Sequence, residues 1–382
     1  MTTSTQSQGM LDKVFMVALA GLVISLAMGF WGLFSAGHGS FNTTSDGIVW
    51  GLPVAVYVYF ALTSTGLTLV ASLAMVFGFR EFYPIAKRCV WLSLAVIVAG
   101  FASLAFEMGR PFLMLWAIPA NLQLQSPLVW MGMFYLAFMV IGVLKFKTIN
   151  EGDWDSAGSR RLGIGAMVAE VLAALTLGAA FGMMAMRPFW FGGMIPLYFL
   201  LTAFLSGITF AVLFTYLVHG FEREAMPENV KALLDGPVPV LFAATLGIYI
   251  LALGARTITG LWSHQDGFQA FNWMVSSPLF HVELWLGLVL PFVLLANPGT
   301  RSQPKMQIAA AALVALALTI GRYEFVIGGQ VVPMMKGSWM GDFVPYVPSL
   351  TEWMMALLAV SLTLTIYILG EKRLNLAAAP EK

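Results

Sequence analysis

One recurring pattern restricts the fold of this chain: long apolar stretches alternate with short polar segments. A helix needs about 20 apolar residues to cross a bilayer, and barrel strands instead alternate in hydropathy over about ten residues. Unbroken apolar runs of this length therefore predict membrane-spanning helices. Ten stretches qualify, at about residues 14–34, 52–78, 89–108, 127–146, 163–186, 193–217, 238–258, 278–297, 306–322 and 350–370. We predict an all-α integral membrane protein with about ten transmembrane helices.

The composition agrees with this class. Hydrophobic residues make up 59% of the chain, charged residues 10%, and the mean hydropathy is +0.83. An ordinary soluble domain carries about 25% charged residues, so no sizeable soluble domain is expected. The first apolar stretch is too long for a typical signal sequence. Although the following FSAGHGS could serve as a cleavage site, we expect the first helix to remain.

The distribution of Lys and Arg predicts the orientation in the membrane. If both termini are cytoplasmic, fifteen of the 20 Lys and Arg residues fall in cytoplasmic segments and five in outer ones. This imbalance follows the positive-inside rule. We therefore expect a multi-pass protein of the cytoplasmic (inner) membrane. The end of the bundle that carries the five outer cations is called the predicted outer face below, and the opposite end the predicted inner face.

Four of the five outer cations are arginines at or beside the ends of four different helices. Each could anchor a helix end by extending its guanidinium to the lipid headgroups. Four at equivalent ends, some of them beside Glu or Pro, instead indicate a functional set. They are Arg110, Arg187, Arg256 and Arg322.

An internal repeat divides the chain into two halves. Residues 57–66 (YVYFALTSTG) and 198–207 (YFLLTAFLSG) share a Tyr and a Gly nine residues apart, and SPLVWMG (126–132) and SPLFHVE (277–283) open the fourth and eighth spans. Four spans separate the members of each pair, so both repeats have the same orientation. We predict two tandem four-helix bundles, residues 51–190 and 191–325. Residues 1–50 form a helix and an outer loop before them, and residues 326–382 an outer loop and a C-terminal helix after them.

Several stretches resemble the NrfD-type membrane subunits of respiratory complexes, a family that includes the membrane subunit of polysulfide reductase. They are WGLPVAVYVYFALTSTG (50–66), EMGRP (107–111), SPLVWMG, RYEFVIGGQVVP (322–333), YVPSLTEW (346–353) and GEKRLNL (370–376). The last two are similar to the ten-span branch of the family, which includes the membrane subunits of Dsr complexes, Hme-type complexes and alternative complex III.

The resemblance implies a quinone-reactive anchor subunit of an oxidoreductase. Menaquinone or ubiquinone would bind in the first bundle near the outer surface and exchange electrons with a four-cluster ferredoxin-like iron–sulfur subunit. A catalytic molybdopterin or multihaem cytochrome subunit would complete the assembly, and proton translocation is a further expectation. Family members carry no metal of their own. No nucleic-acid partner is expected.

The cysteine and histidine residues agree with the expectation that this chain holds no redox metal. Cys89 is the single cysteine, so a four-thiolate cluster cannot be ligated within this chain. The four histidines lie in loops or near span ends, whereas a b-type haem needs pairs deep in facing helices. We therefore predict no haem, no iron–sulfur cluster and no metal site here. A secondary transporter is the alternative function, and it predicts broken helices at matching positions of the two halves; a purely structural anchor is a third.

Glu107 and Arg110 are the candidate catalytic residues. Quinol oxidation releases two protons with two electrons, so the site needs a proton acceptor within hydrogen-bonding reach. Glu107, desolvated at the membrane edge, suits that role, and Arg110, one turn further on, would orient the carboxylate. The family usually has Asp in place of Glu107. The alternative is an interfacial ion pair that holds a helix end.

Three other residues complete the predicted quinone pocket. Tyr57 would donate a hydrogen bond to a quinone oxygen, Trp130 would stack on the ring, and Ser126 would lie beside them at the start of the fourth span. Each has a structural alternative: core packing for Tyr57, an interfacial belt position for Trp130 and a helix cap for Ser126.

Ionisable groups inside the spans predict a proton path. Glu170 is expected about two turns from the inner end of the fifth span, and Glu283, with His281 nearby, at the outer end of the eighth. The alternative for Glu170 is a carboxylate satisfied by hydroxyls of a facing helix. The outer loop from Gln330 to Pro348 is long, aromatic and rich in Gly and Pro, which makes it the predicted docking surface for a partner subunit.

Overall fold

The computed structural model describes residues 5–45, 47–108, 119–334 and 341–380, together with residues 113 and 116. Within these residues the regular structure is helical, and ten helices are long and apolar enough to cross a membrane. The predicted fold class and number of spans are confirmed. The spans are α1 (Thr5–Ala36), α2 (Leu52–Met75), α3 (Tyr83–Glu107), α4 (Pro127–Asn150), α5 (Ala157–Gly182), α6 (Ile195–Val218), α7 (Pro237–Trp262), α8 (Pro278–Ala296), α9 (Pro304–Gly328) and α10 (Leu350–Arg373).

Some helices extend beyond the apolar stretches that predicted them. α5 begins at Ala157, six residues earlier than predicted, and the Ser156 hydroxyl caps its first turn by accepting a hydrogen bond from the Ser159 backbone N–H (3.1 Å). The polar first turn hides this start from a hydropathy analysis. Glu170 therefore lies near the middle of α5, deeper than the two turns predicted.

Proline lies in the first turn of seven of the ten spans, namely α2 to α4 and α6 to α9. First-turn N–H groups have no partner inside their own helix, so a residue without an N–H loses nothing there. In a membrane protein this placement also removes a donor that lipid could not satisfy. The prolines therefore mark where helices begin.

α2 is the central helix of the molecule. Of its most apolar 18 residues, 89% are buried, against 17% for α1. α2 packs on α3, α5, α6 and α9, whereas α1 packs chiefly along α10. The two terminal helices flank the repeats in sequence but lie against each other in space. The division into two four-helix bundles stays a prediction, because α2 packs extensively on α6 of the other half.

α2 and α6 cross at the glycines that the internal repeat shares. A Cβ atom at Gly66 would overlap the backbone carbonyl of Ala203, and one at Gly207 would overlap the backbone of Gly66. Glycine at both positions lets the two backbones approach closely, as small residues do between membrane helices. Because α2 and α6 are repeat equivalents, the same position of each repeat meets its counterpart, as in a two-fold interface.

Gly66→Ala is expected to destabilise the protein, because the added Cβ would meet backbone atoms that cannot rotate away. Overpacking of this kind costs about 1–3 kcal/mol. Gly132→Ala is the matched control, since Gly132 lies in α4 with nothing within 4 Å of an added Cβ. Thermal unfolding midpoints in detergent measure the difference. A midpoint for Gly66→Ala at or above that of Gly132→Ala would contradict the close crossing.

Candidate functional site

The chain entering α2 is held by side chains from distant parts of the sequence. The backbone N–H groups of Val49 and Trp50 both donate to Gln330 Oε1 at 2.9 Å. Gln330 Nε2 donates in return to the Trp50 carbonyl (3.0 Å) and to the Val326 carbonyl at the end of α9 (2.9 Å). One amide side chain thus satisfies three backbone groups of this segment, including two donors outside the helix.

Glu107, the last residue of α3, holds the next part of the segment. Its Oε1 accepts from the Gly51 backbone N–H (2.9 Å), and its Oε2 accepts from the Val54 N–H (3.1 Å). A carboxylate on the first-turn N–H groups of a helix is favoured by the helix dipole. Each oxygen keeps a further lone pair, so the group can still accept a proton. Arg110 lies outside the described residues.

Tyr346 and Glu352 complete the arrangement, which is called the α2 clamp (Glu107, Gln330, Tyr346 and Glu352). The Leu52 N–H donates to the Tyr346 hydroxyl at 2.7 Å, and that hydroxyl donates to Glu352 Oε1 at 2.6 Å. Burial and the hydrogen bond to Glu352 raise the pKa of Tyr346 well above its usual value. The hydroxyl therefore stays protonated and can accept and donate at once.

Glu352 also fixes the start of α10. Its Oε2 accepts from the Ser349 N–H (2.6 Å), and its own N–H donates to the Ser349 hydroxyl (3.2 Å), which forms a capping box. The sequence carried a signal for this pair, because Ser and Glu three residues apart before an apolar run are typical of a helix start. The sequence predicts neither this role for Glu352 nor the contacts of Gln330 with the start of α2; it identifies Gln330 only as the first residue of the predicted docking loop.

Tyr57 lies one turn along α2 from the Val54 amide that Glu107 binds. Its side chain is buried, its ring packs on Phe101 with centroids 5.4 Å apart, and its hydroxyl donates to the Met131 sulfur at 3.5 Å. Sulfur is a weak acceptor, so a stronger acceptor could replace it. Residues three positions apart on a helix are neighbours, so the structure brings Tyr57 and Glu107 to one end of α2.

Trp130 and Ser126 make no hydrogen bond to Tyr57 or Glu107 among the described residues. Trp130 is 37% exposed on the surface of α4, where its Nε1 donates to the Leu124 carbonyl at 2.8 Å. Ser126 is the N-cap residue of α4, but its hydroxyl makes no capping hydrogen bond. Met131, one residue beyond Trp130, is the α4 side chain that reaches Tyr57.

Glu170 lies in a buried polar cluster below Tyr57. Its side chain is fully buried, its Oε1 accepts from the Ser64 hydroxyl and its Oε2 from the Thr65 hydroxyl, each at 2.6 Å. Both hydroxyls belong to α2, so the carboxylate has the environment that the structural alternative describes. The Tyr135 hydroxyl, close to Thr65, is buried and makes no hydrogen bond of ordinary geometry among the described residues.

A second buried cluster lies in the other half of the chain. Tyr249 donates to Glu283 Oε1 at 3.3 Å, and the Tyr198 and Tyr249 hydroxyls are 3.0 Å apart. Glu283 is 2% exposed, whereas His281 is exposed beside Phe280. The structure therefore does not bring His281 to Glu283, although they are two residues apart in sequence.

Glu283 begins an irregular part of α8. The eight residues Val282–Val289 form a π-helix, which is wider than an α-helix. Pro291 follows shortly afterwards, and a proline inside a helix disrupts the hydrogen bond to the residue four positions earlier. Wide turns of this kind occur frequently at functional sites. Here the turn places a carboxylate in the protein interior.

The same region contains two of the outer arginines and a carboxylate for which no role was predicted. Arg322 is 4% exposed and donates to the Thr202 hydroxyl, which excludes an extension of its side chain to the headgroups. Arg256 donates to the Phe189 carbonyl at 2.8 Å among four aromatic rings. Glu324 is buried beside Glu283, and neither of its oxygens makes a hydrogen bond of ordinary geometry within the described part of the chain.

Arg187 is the remaining outer arginine that the structure describes. It donates to the Gln330 and Val332 carbonyls at 3.3 and 3.0 Å. Arg187 therefore holds the segment that begins at Gln330, one residue of the α2 clamp, and does not extend into the headgroups. Among the residues described, no group of three or more His, Cys, Asp or Glu side chains could hold a metal ion.

Tyr346→Phe is expected to destabilise the protein. The change leaves the buried Leu52 N–H and a Glu352 oxygen without their partner, at a cost of about 1–3 kcal/mol. Tyr323→Phe is the matched control, because the Tyr323 ring stacks on Tyr346 at 6.3 Å but its hydroxyl takes no part in the clamp. Thermal midpoints in detergent compare the two variants. Equal midpoints would show that the clamp contributes little stability.

Comparisons with known proteins connect this architecture to relatives. The chain is 23% identical over 378 aligned residues to the Hdr-like menaquinol oxidoreductase integral membrane subunit of Archaeoglobus fulgidus, and the match covers 94% of this chain and 93% of that protein. It is 24% identical to a selenate reductase subunit of Mesobacillus selenatarsenatis, with 90% and 89% covered. It is also 25% identical to the menaquinone reductase integral membrane subunit of Nitratidesulfovibrio vulgaris. That match is shorter and covers 41% of this chain and 37% of that protein.

The family itself is shown by a separate match. The sequence model of the family described as polysulphide reductase, NrfD, matches residues 40–334. That range includes the first four of the six stretches that suggested the resemblance; the other two lie beyond residue 334. It also contains Glu107, Tyr57, Glu170 and Gln330. The chain therefore belongs to the NrfD (polysulphide reductase) family of membrane proteins.

Proposed function

We propose that this chain is the quinone-interacting integral membrane subunit of a multi-subunit respiratory oxidoreductase. The observation that carries the proposal is the near-full-length similarity to the menaquinol oxidoreductase integral membrane subunit of Archaeoglobus fulgidus. The similarity to the menaquinone reductase subunit of Nitratidesulfovibrio vulgaris supports the same substrate class. Menaquinone and ubiquinone are both candidates.

The proposed quinone site lies at the start of α2, between Glu107 and Tyr57. A quinone is an apolar ring with two carbonyl oxygens, so it suits an apolar pocket with a few polar groups. The groups present fit this ligand: the Tyr57 hydroxyl donates to a weak sulfur acceptor, and Glu107 keeps lone pairs beyond its two backbone bonds. Ser126 and Trp130 would line the approach from the lipid side of α4.

Oxidation of a quinol at this site would release two electrons and two protons, and reduction of a quinone would take up the same number. Glu107 would accept a proton at a carboxylate oxygen, while the Gly51 and Val54 amides keep the carboxylate in position. Tyr57 would donate a hydrogen bond to the ring oxygen and orient it. Arg110 is proposed to orient Glu107 from the opposite side.

Glu107→Gln is expected to lower quinol oxidation by about 100-fold or more, as the loss of a general base does. Gln keeps one carbonyl oxygen for either the Gly51 or the Val54 N–H, while its NH2 group leaves the other without an acceptor, so a loss of stability of about 1–3 kcal/mol accompanies the change. Glu107→Asp keeps the acid that the family usually has and should retain much more activity. The assay is quinol oxidation by the complex purified from native membranes, with thermal midpoints recorded for each variant.

Two results would argue against this site. Equal activity of Glu107→Gln and the unsubstituted protein would remove Glu107 from the chemistry. Equal losses in Glu107→Gln and Glu107→Asp, both accompanied by lower thermal midpoints, would assign Glu107 a purely structural role at the α2 clamp. Glu151→Gln is the control, because Glu151 is exposed at the end of α4 and paired with Lys147.

A proton path along α2 is proposed from Tyr57 towards Glu170. Ser64 lies seven residues from Tyr57 on α2, about 10 Å at the helical rise, and it binds the Glu170 carboxylate. The buried Tyr135 hydroxyl lies close enough to Tyr57 and Glu170 to interact electrostatically with both. Glu283, with His281 at the exposed end of α8, is proposed to serve a similar path in the second half.

Glu170→Gln is expected to reduce proton release per quinol oxidised, because the side chain keeps its size but loses its titrating group. Proton release in vesicles containing the purified complex measures this, with Glu151→Gln again as the control. Unchanged quinol turnover together with unchanged proton release would remove Glu170 from the path.

Electrons must pass to or from a separate subunit, since one cysteine cannot ligate a four-thiolate cluster. The proposed partners are a four-cluster ferredoxin-like iron–sulfur subunit and a catalytic molybdopterin or multihaem cytochrome subunit, docked near the loop that carries Gln330 and Tyr346. Mass spectrometry of the purified complex identifies them. A chain that is isolated alone from gently solubilised membranes would contradict the partner-dependent function.

The transporter alternative receives less support from the helices. It predicts broken helices at matching positions of the two halves. α8 contains the wide turn Val282–Val289, but α4, its repeat equivalent, is a continuous α-helix from Pro127 to Asn150. Of these two equivalent spans, α8 is irregular and α4 is not.

A further inference from the structure

A cavity of about 430 Å³ lies at the predicted inner face, away from the proposed quinone site. It is open to the surface and bordered by the start of α3, the end of α4 and the segment that follows α10. Its polar lining consists of Lys87, Asn150, Trp154, Arg373 and Asn375, and no Asp or Glu is among the described residues that line it.

Lys87 is a buried cation without a counter-ion in contact among the described residues. It is 2% exposed, and its Nζ donates to Asn150 Oδ1 and to the Asn375 carbonyl, each at 3.0 Å. Both acceptors are neutral, and an ammonium group has three N–H donors. One donor is therefore left for a ligand. The Nζ also lies 5.8 Å from the centre of the Phe146 ring, and an anion in the cavity would add the directly bound negative charge that these contacts lack.

The acids that flank the lining residues in sequence, and Glu371 two residues before Arg373, have other direct partners. Glu371 Oε1 forms an ion pair with Arg88 (2.7 Å) and accepts from the Tyr367 hydroxyl (2.8 Å). Asp155 accepts from the Tyr83 hydroxyl at 2.8 Å. Asp153 is bound by Ser156, and Glu151 pairs with Lys147. Glu371 lies close enough to interact with Lys87 through space but makes its direct contacts with Arg88 and Tyr367, so Lys87 lacks a directly bound counter-ion among the described residues.

A second cation lines the same cavity. Arg373, the last residue of α10, is exposed and forms no ion pair within the described residues. Asn375 follows with a φ of 41°, in the left-handed region that Asn tolerates better than most residues. This turn directs the Asn375 carbonyl to Lys87, so the chain that borders the cavity is held in a defined shape.

We propose that this cavity binds a phosphate group, held between Lys87 Nζ and the Arg373 guanidinium. Arg and Lys both bind phosphate through charge-assisted hydrogen bonds. The cavity lies at the ends of three spanning helices with Trp154 in its wall, a position typical of the membrane surface. Basic pockets at such positions suit phospholipid headgroups. The expected occupant is therefore the phosphodiester of an anionic phospholipid, and free phosphate is the other source of the same chemistry.

Native mass spectrometry of the purified protein, with the subunits that accompany it, tests the proposal. Phosphatidylglycerol is added, and diacylglycerol with the same acyl chains serves as the ligand without phosphate. Arg373→Gln and Lys87→Gln are each expected to weaken phosphatidylglycerol retention about tenfold, which corresponds to about 1.4 kcal/mol, because each change removes one charge-assisted hydrogen bond to the phosphate. Lys147→Gln is the control, because Lys147 is an exposed cation of the same face that does not line the cavity.

The outcomes separate the sources and can overturn the proposal. If phosphatidylglycerol is retained and millimolar inorganic phosphate does not displace it, the site takes lipid headgroups; displacement by phosphate would show that free phosphate also enters. Equal retention by Arg373→Gln, Lys147→Gln and the unsubstituted protein would overturn the proposal, as would equal retention of diacylglycerol. Arg373 is exposed, so its variant remains informative even if Lys87→Gln does not fold.

Discussion

The structure depends on satisfying the polar backbone groups at the start of α2, the most buried helix. Lipid offers these donors no partner, and a helix leaves its first N–H groups without intrahelical acceptors. The α2 clamp provides acceptors from three other parts of the chain: Glu107 from α3, Gln330 from the end of α9, and Tyr346 from the loop before α10. The clamp therefore determines where α2 begins and, through it, where Tyr57 and Glu170 lie.

The two halves of the chain meet around the same helix. Gly66 and Gly207 let α2 and α6 approach at their shared repeat position, yet the polar groups that the halves bury are different. The first half places Glu170 with the hydroxyls of Ser64 and Thr65. The second places Glu283 and Glu324 near Arg322 and two tyrosines. The two predicted repeats thus bury different polar groups, which is consistent with a division of roles between them.

The sequence predicted the parts of the fold that depend on local composition. Apolar length identified all ten spans, and the shared Tyr and Gly identified the repeat helices that cross. It did not predict the partners of Glu107, because these are backbone amides 53 and 56 residues away rather than another charged side chain. Nor could apolar length indicate that Trp130 faces outward while its neighbour Met131 reaches Tyr57, since that depends on how α4 packs.

The residues of the α2 clamp are far along the chain from the backbone N–H groups that they bind, and this separation affects folding during synthesis. Val49, Trp50 and Leu52 obtain their acceptors from residues 281, 280 and 294 positions later. At about 5–20 residues per second, the ribosome needs about 15–60 s to reach those acceptors after the start of α2 has been synthesised. During that interval the entrance to the central helix has only Glu107 among its clamp partners. The first half must therefore wait in the membrane in an incomplete form until the last helix is delivered.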